Sequence, residues 1–130
     1  MKRRDVEVVH RNGQILVLCA REPLPLSLAT VARSTCYRVD RMCQVVGISE
    51  RHLRRVFEDG LGITPKDWLR RERMVAARNL LREGHSVKEV AIDLGFASPK
   101  IFAREFQQFY EVSPTDFQRK DFSYRLPVAS

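Results

Sequence analysis

The sequence predicts an all-α protein of seven helices, built as two helix-turn-helix subdomains joined by a long linker helix, with a short β-hairpin ahead of them. Three observations predict it. From Leu26 onward, apolar residues recur at the three- and four-residue spacing that gives a helix one buried face. One stretch of the chain matches another at a constant offset of 48 residues, so the helical part is duplicated. Ahead of it, two β-branched apolar runs flank Asn12-Gly13, the pair best suited to the positive φ angles of a tight hairpin turn.

In chain order, Val6 to His10 and Ile15 to Cys19 form the hairpin strands. A two-stranded hairpin is marginal in water and must pack on something. Glu22-Pro23-Leu24-Pro25 then interrupts regular structure and divides residues 1–25, an extension, from a main domain over 26–121. Leu28, Val31 and Ala32 mark a first helix; Met42, Val45 and Val46 mark a second, ended by Gly47. Leu53, Val56 and Phe57 line a third, capped by Ser49 and closed near Gly60. The fourth starts at Thr64, with Pro65 at its first position and Asp67 in its first turn, and runs through Trp68, Leu69, Ala76, Ala77, Leu80 and Leu81 to Gly84. Ser86 and Glu89 make a capping box for the fifth. Ser98-Pro99 opens the sixth, with Phe102, Phe106 and Phe109 as its inward stripe, and Ser113-Pro114 opens a seventh through Phe117. Residues 122–130 carry no element and read as a tail.

Composition narrows the function. Among 130 residues, 23 Lys and Arg stand against 16 Asp and Glu, giving +7, and 44% of residues are apolar. A soluble domain of that charge points to a polyanionic partner. Arginine dominates the basic set, and its fork suits phosphate and guanine. The longest apolar stretch, Ile15 to Ala20, is too short to cross a bilayer, so no membrane partner is expected. Cys19, Cys36 and Cys43 show no metal-ligand spacing, and His10, His52 and His85 are scattered. The sequence thus predicts no metal, no cofactor and no catalytic set, and a reducing cytoplasm suits its cysteine usage.

The repeat carries the chemistry. Val39 to Gly47 lies over Val87 to Gly95, and after one inserted residue Leu53, Arg55, Phe57, Ile63, Pro65 and Trp68 lie over Phe102, Arg104, Phe106, Val112, Pro114 and Phe117. Each copy has a short helix with a small residue, Cys43 or Ala91, then a glycine turn and a second helix. That is the helix-turn-helix pattern, over about 38–59 and 86–110. From Tyr37 to Lys120 the chain resembles the DNA-binding domain of the AraC/XylS transcription regulators. The resemblance rests on Ser86 to Phe96, Phe102-Ala103-Arg104-Glu105-Phe106 and Val112-Ser113-Pro114, with Arg73 to Leu81 similar to that family's linker helix. Two departures stand in the first unit: Arg38 where a Ser or Thr cap is usual, and Cys43 for alanine. The resemblance implies two recognition helices reaching successive major grooves of double-stranded DNA. It also implies activation through contact with RNA polymerase, and a short, single-domain member of the family.

On the third helix, inward Leu53, Val56 and Phe57 leave Arg51, Arg54 and Arg55 on one outer face, the expected base and phosphate contacts. The plain alternative is a solvated basic face partly paired with Glu58. On the sixth helix, Pro99, Lys100, Ile101 and Arg104 face out near its start. Lys100 and Arg104 are the polar contacts there; Ile101 packs on a thymine methyl or belongs to the core, and Glu105 pairs with one of the two cations. Backbone N–H groups near Ser49, Ser98 and Ser113 suit phosphate. Arg73 reaches phosphate or braces the subdomains through a carboxylate.

Other readings remain open. An interaction module of the same fold would use the hairpin to pair with a protein partner or as a homodimer. A repair alkyltransferase fusion would need clustered cysteines, and the leading segment holds only Cys19. The chain also reads as a piece of a longer regulator.

Overall fold

The computed structural model describes residues 6–11, 14–19 and 26–120. The Asn12-Gly13 turn, the Glu22-Pro23-Leu24-Pro25 boundary and the 122–130 tail lie outside the described residues, as does the Cys19 side chain. Strands β1 (Val6–Arg11), β2 (Gln14–Cys19) and β3 (Leu26–Ser27) precede helices α1 (Leu28–Ser34), α2 (Val39–Val46), α3 (Glu50–Leu61), α4 (Pro65–Arg82), α5 (Val87–Asp93) and α6 (Pro99–Tyr110). A seventh helix, α7, covers 114–120. The described residues divide into two compact units whose boundary falls inside α4, between Glu72 and Arg73.

In the first unit, β1 and β2 pair antiparallel with Val6 opposite Cys19 and Val8 opposite Val17. Period-two alternation sends Val6, Val8 and Val17 into the core while Glu7 stays exposed. The hairpin therefore finds its cover in α1–α3: its valines share one buried cluster with Leu28, Val31, Met42, Leu53 and Phe57. One correction concerns Leu26 and Ser27, expected to begin the helical part. They pair with Val17 and Leu16 as a third strand. Ser27 caps α1, and an N-cap residue keeps extended backbone angles, here φ −68° and ψ 124°, so it can end a strand and start a helix at once.

Val45 was expected on the inner face of α2 but is 53% exposed. Met42, Cys43 and Val46 fill that face, and Val45 lies a quarter turn away from it. Arg38 makes no side-chain cap and instead forks onto Asp40 at 3.2 Å. Burial pushes the Cys43 thiol up from its ordinary value, which suits a packing residue and not a nucleophile.

The expected end of α3 near Gly60 is also corrected. The helix continues to Leu61, and Gly62, at φ +71°, supplies the left-handed closing residue. Gly60 serves a different purpose. A Cβ there would lie 2.6 Å from the Val8 carbonyl oxygen, so the missing side chain is what lets β1 press on α3. Gly60→Ala should thus destabilise the first unit by about 1–3 kcal/mol through overpacking, outweighing a helix-propensity gain of about 1 kcal/mol. Thermal unfolding followed by the fluorescence of Trp68, buried in that unit, checks the sign; a raised Tm would show that the strand does not bear on the helix.

In the second unit, Met74, Ala77 and Leu81 of α4 are buried, as are Val90, Ala91, Leu94, Phe96, Phe102 and Phe106. Phe109, expected as a third inward ring, is half-buried and sets its edge against Tyr110. The Ser86–Glu89 capping box forms as expected: the Ser86 Oγ accepts from the Glu89 N–H at 3.1 Å, and the Glu89 carboxylate from the Ser86 N–H at 2.8 Å. The Ser86 N–H holds the Glu89 carboxyl below its ordinary value. A lowered folded-state value means stabilisation that is present above the unfolded-state value and lost as pH falls through the folded one. Glu89→Gln should therefore cost stability at neutral pH, with the difference from the parent chain vanishing on acidification. Urea unfolding at several pH values measures it.

Candidate nucleic-acid interface

Each unit carries two helices joined at a glycine: α2, Gly47 and α3 in the first, α5, Gly95 and α6 in the second. Gly47 and Gly95 have φ of +84° and +76°, the left-handed conformation a non-glycine residue enters only at a cost. Cys43 and Ala91 are both buried, the small contacts that let each pair cross closely.

Leu53, Val56 and Phe57 anchor α3 inward. Arg51, Arg54 and Arg55 are all exposed on the opposite side, one turn of helix apart. Among the described residues none of them is within ion-pair distance of a carboxylate, Glu58 included. Three cations on one face without counter-charge repel one another until a polyanion lies across them. The Ser49 hydroxyl accepts the N–H of His52 at 3.1 Å and fixes where the helix begins.

On α6 the inward rings are Phe102 and Phe106, and Pro99, Lys100 and Arg104 are exposed. Ile101 is half-buried and so belongs wholly to neither expected place; its N–H donates to Ser98 Oγ at 3.1 Å. Glu105, expected to pair with Lys100 or Arg104, reaches neither among the described residues. Ser113 caps α7 in the same way, accepting from the Asp116 N–H at 3.1 Å.

Arg73 departs from expectation. Its Nε donates to the Leu94 carbonyl at 3.0 Å, and its guanidinium lies 3.7 Å over the Phe96 ring. It thus ties α4 to the α5–α6 turn inside the second unit, where the sequence suggested a carboxylate brace between subdomains. Further along α4, Arg78 and Arg82 lie over Tyr110 and Phe117. Sequence reasoning missed these stacks, since aromatic partners 32 to 35 residues away leave no local signal. Among the described residues no three His, Cys, Asp or Glu side chains gather as a metal site, and no helix is long and apolar enough to cross a membrane.

A family model described as a helix-turn-helix domain matches residues 42–120, and the solved structures similar to this chain include AraC-type DNA-binding domains. The chain belongs to the AraC/XylS-type helix-turn-helix family. The AraC/XylS-type domain is 30% identical over 87 residues to the probable transcription factor PqrA of Proteus vulgaris, a match covering 66% of this chain and 71% of that one. It is 33% identical over 79 residues to the transcriptional regulatory protein HptR of Staphylococcus aureus, covering 61% of this chain. That match takes in 31% of HptR, so the chain spans about a third of that relative's length. Among solved structures, the DNA-binding domain of AdpA in complex with a target DNA is similar with a TM-score of 0.66 at 27% identity, over 75% of this chain and 91% of that one. A DNA-binding transcriptional dual regulator from Escherichia coli K-12 is similar with a TM-score of 0.63 at 23% identity, over 73% and 88%. The matched residues of the AraC/XylS-type domain begin in α2, so the three strands and α1 precede them.

Proposed function

We propose that this chain is a sequence-specific DNA-binding transcription regulator, an activator, whose α3 and α6 enter successive major grooves of double-stranded DNA. The observation that carries the reading is the exposed, uncompensated arginine face of α3, repeated in reduced form by Lys100 and Arg104 at the start of α6. Arg51, Arg54 and Arg55 read bases and hold phosphates, with guanine O6 and N7 as the natural acceptors. The helix starts near Ser49, Ser98 and Ser113 offer backbone N–H groups to phosphate, while Pro99, which has none, sets the first turn of α6 on its outer face. Residues 26–121 form the DNA-binding domain, with units at about 38–59 and 86–110, and RNA polymerase is the partner for activation. The interaction-module alternative is disfavoured by the strand edge it needs, because α3 closes on β1 where Gly60 meets Val8.

Selection from a random duplex pool, followed by affinity against scrambled DNA across a salt series, tests the proposal. Two short elements about one helical turn apart, bound at least ~10³-fold tighter than scrambled DNA, are the expected result. Weak binding with a steep salt slope and no motif would overturn it. Arg55→Ala and Arg104→Ala should each cost about 1–3 kcal/mol on the selected site and relax preference at particular bases.

A further inference from the structure

Between β1 and α3 lies a cleft of about 410 Å³, lined by Val6, Glu7, Val8 and Val9 on the strand and His52, Arg55, Val56, Asp59 and Gly60 on the helix. It falls at the small end of the range for small-molecule sites. Its base is apolar: Val6, Val8 and Val56 are buried, and Val9 is half-buried. Its rim is polar, with Glu7, Arg55 and Asp59 exposed.

The hydrogen-bonding character of the rim is lopsided. Glu7 and Asp59 are two carboxylates with no ion-pair partner among the described residues, although Arg55 stands one helical turn from Asp59. The Val8 carbonyl oxygen faces α3 at Gly60. His52 adds a buried Nε2 with no hydrogen-bond partner among the described residues. Against these acceptors, among the described residues, the only fixed positive charge in the lining is Arg55. An apolar base under an acceptor-rich rim fits a ligand that is apolar at one end and donates charged hydrogen bonds at the other. An extended peptide does not fit: the helix approaches the strand at Gly60 so closely that a Cβ would be 2.6 Å from the Val8 oxygen, well inside the ~4.8 Å an added strand requires.

We propose that this cleft is a binding site for a small amphipathic organic cation, its ammonium or amidinium head held by Glu7 and Asp59 and its apolar body laid over Val6, Val8, Val9 and Val56. The site has one wall on the helix that carries Arg55. A bound monocation cancels one of the two negative charges that Glu7 and Asp59 place beside that arginine, which eases the approach of a phosphate backbone, so occupancy tightens DNA binding. That consequence rests on the DNA-reading role proposed above for α3; the site itself does not.

The test uses the full chain with no DNA present and 2-phenylethylammonium as the probe, with 3-phenylpropionate and 2-phenylethanol as matched anion and neutral controls. Saturable shifts of the Val8, Val9 and Val56 methyl resonances at millimolar probe are expected. They should be about tenfold weaker for the anion and in the doubly substituted Glu7→Gln/Asp59→Asn chain, whose exposed side chains leave the fold intact by circular dichroism. Absent shifts, equal binding of the anion, or full binding by the double variant would each overturn the site. In a second arm, saturating probe should tighten binding of the selected duplex a few-fold in the parent chain and not in the double variant. Binding in the first arm with no change in the second would overturn the coupling to DNA while upholding the site.

Discussion

Replacing Phe106 with alanine is expected to cost about 3–5 kcal/mol, enough to unfold much of the second unit near physiological temperature. The ring is fully buried. It meets Phe102 at 5.7 Å, Tyr110 at 4.7 Å and Phe117 at 5.8 Å between centroids, mostly edge to face. Truncation loses the transfer energy of the ring and leaves a hole that three other rings border. Rigid aromatic walls collapse poorly into a void, which places the cost at the upper end of core truncations. Phe106→Leu keeps most of the volume and should cost clearly less. Urea unfolding followed by far-ultraviolet circular dichroism measures both. An alanine variant within about 1 kcal/mol of the parent would mean that Phe106 does not hold α6 and α7 together.

The elements that were legible in the sequence are those whose causes are local. Ser49, Thr64, Ser86, Ser98 and Ser113 each accept a backbone N–H three residues on. A cap is a contract between near neighbours, so residue type and spacing suffice to read it. The same holds for Gly47 and Gly95, whose left-handed angles follow from the turn each must make. The repeat then placed Arg51, Arg54, Arg55, Lys100 and Arg104 on exposed faces, because once the inward residues of a helix are known, the outward ones follow by rotation.

What escaped were features set by distant partners. Leu26 and Ser27 look helical in their own neighbourhood, and only the presence of β2 makes them a strand. Gly60 looks like a helix stop, but the approach of β1 gives it a different purpose inside the helix. Val45 has the composition of a core residue, yet α2 already fills its inner face with Met42, Cys43 and Val46. The cleft between β1 and α3 belongs to the same class. Its two walls come from residues more than forty apart in the chain, and no spacing rule joins Glu7 to Asp59.

The combined variant Arg51→Ala, Arg54→Ala, Arg55→Ala is expected to lose on the order of 10³-fold or more in affinity for the selected site, the largest effect on DNA binding of any substitution set in the chain. All three side chains are exposed and carry no described ion pair, so their removal leaves no stranded charge and the fold should stand. Changed affinity therefore reports on DNA. The salt dependence divides the loss: each phosphate contact removed flattens the slope of log K against log salt by about 0.9, whereas a contact to a base edge lowers specific affinity with little change in slope. Lys100→Ala with Arg104→Ala should lose less, since the second face offers two cations where the first offers three. If the two sets cost the same, α6 must supply apolar readout that its charge does not predict, and half-buried Ile101 is the residue placed to provide it. If neither set changes binding, the arginine face is a solvated surface, and the DNA contact must be sought on other helices.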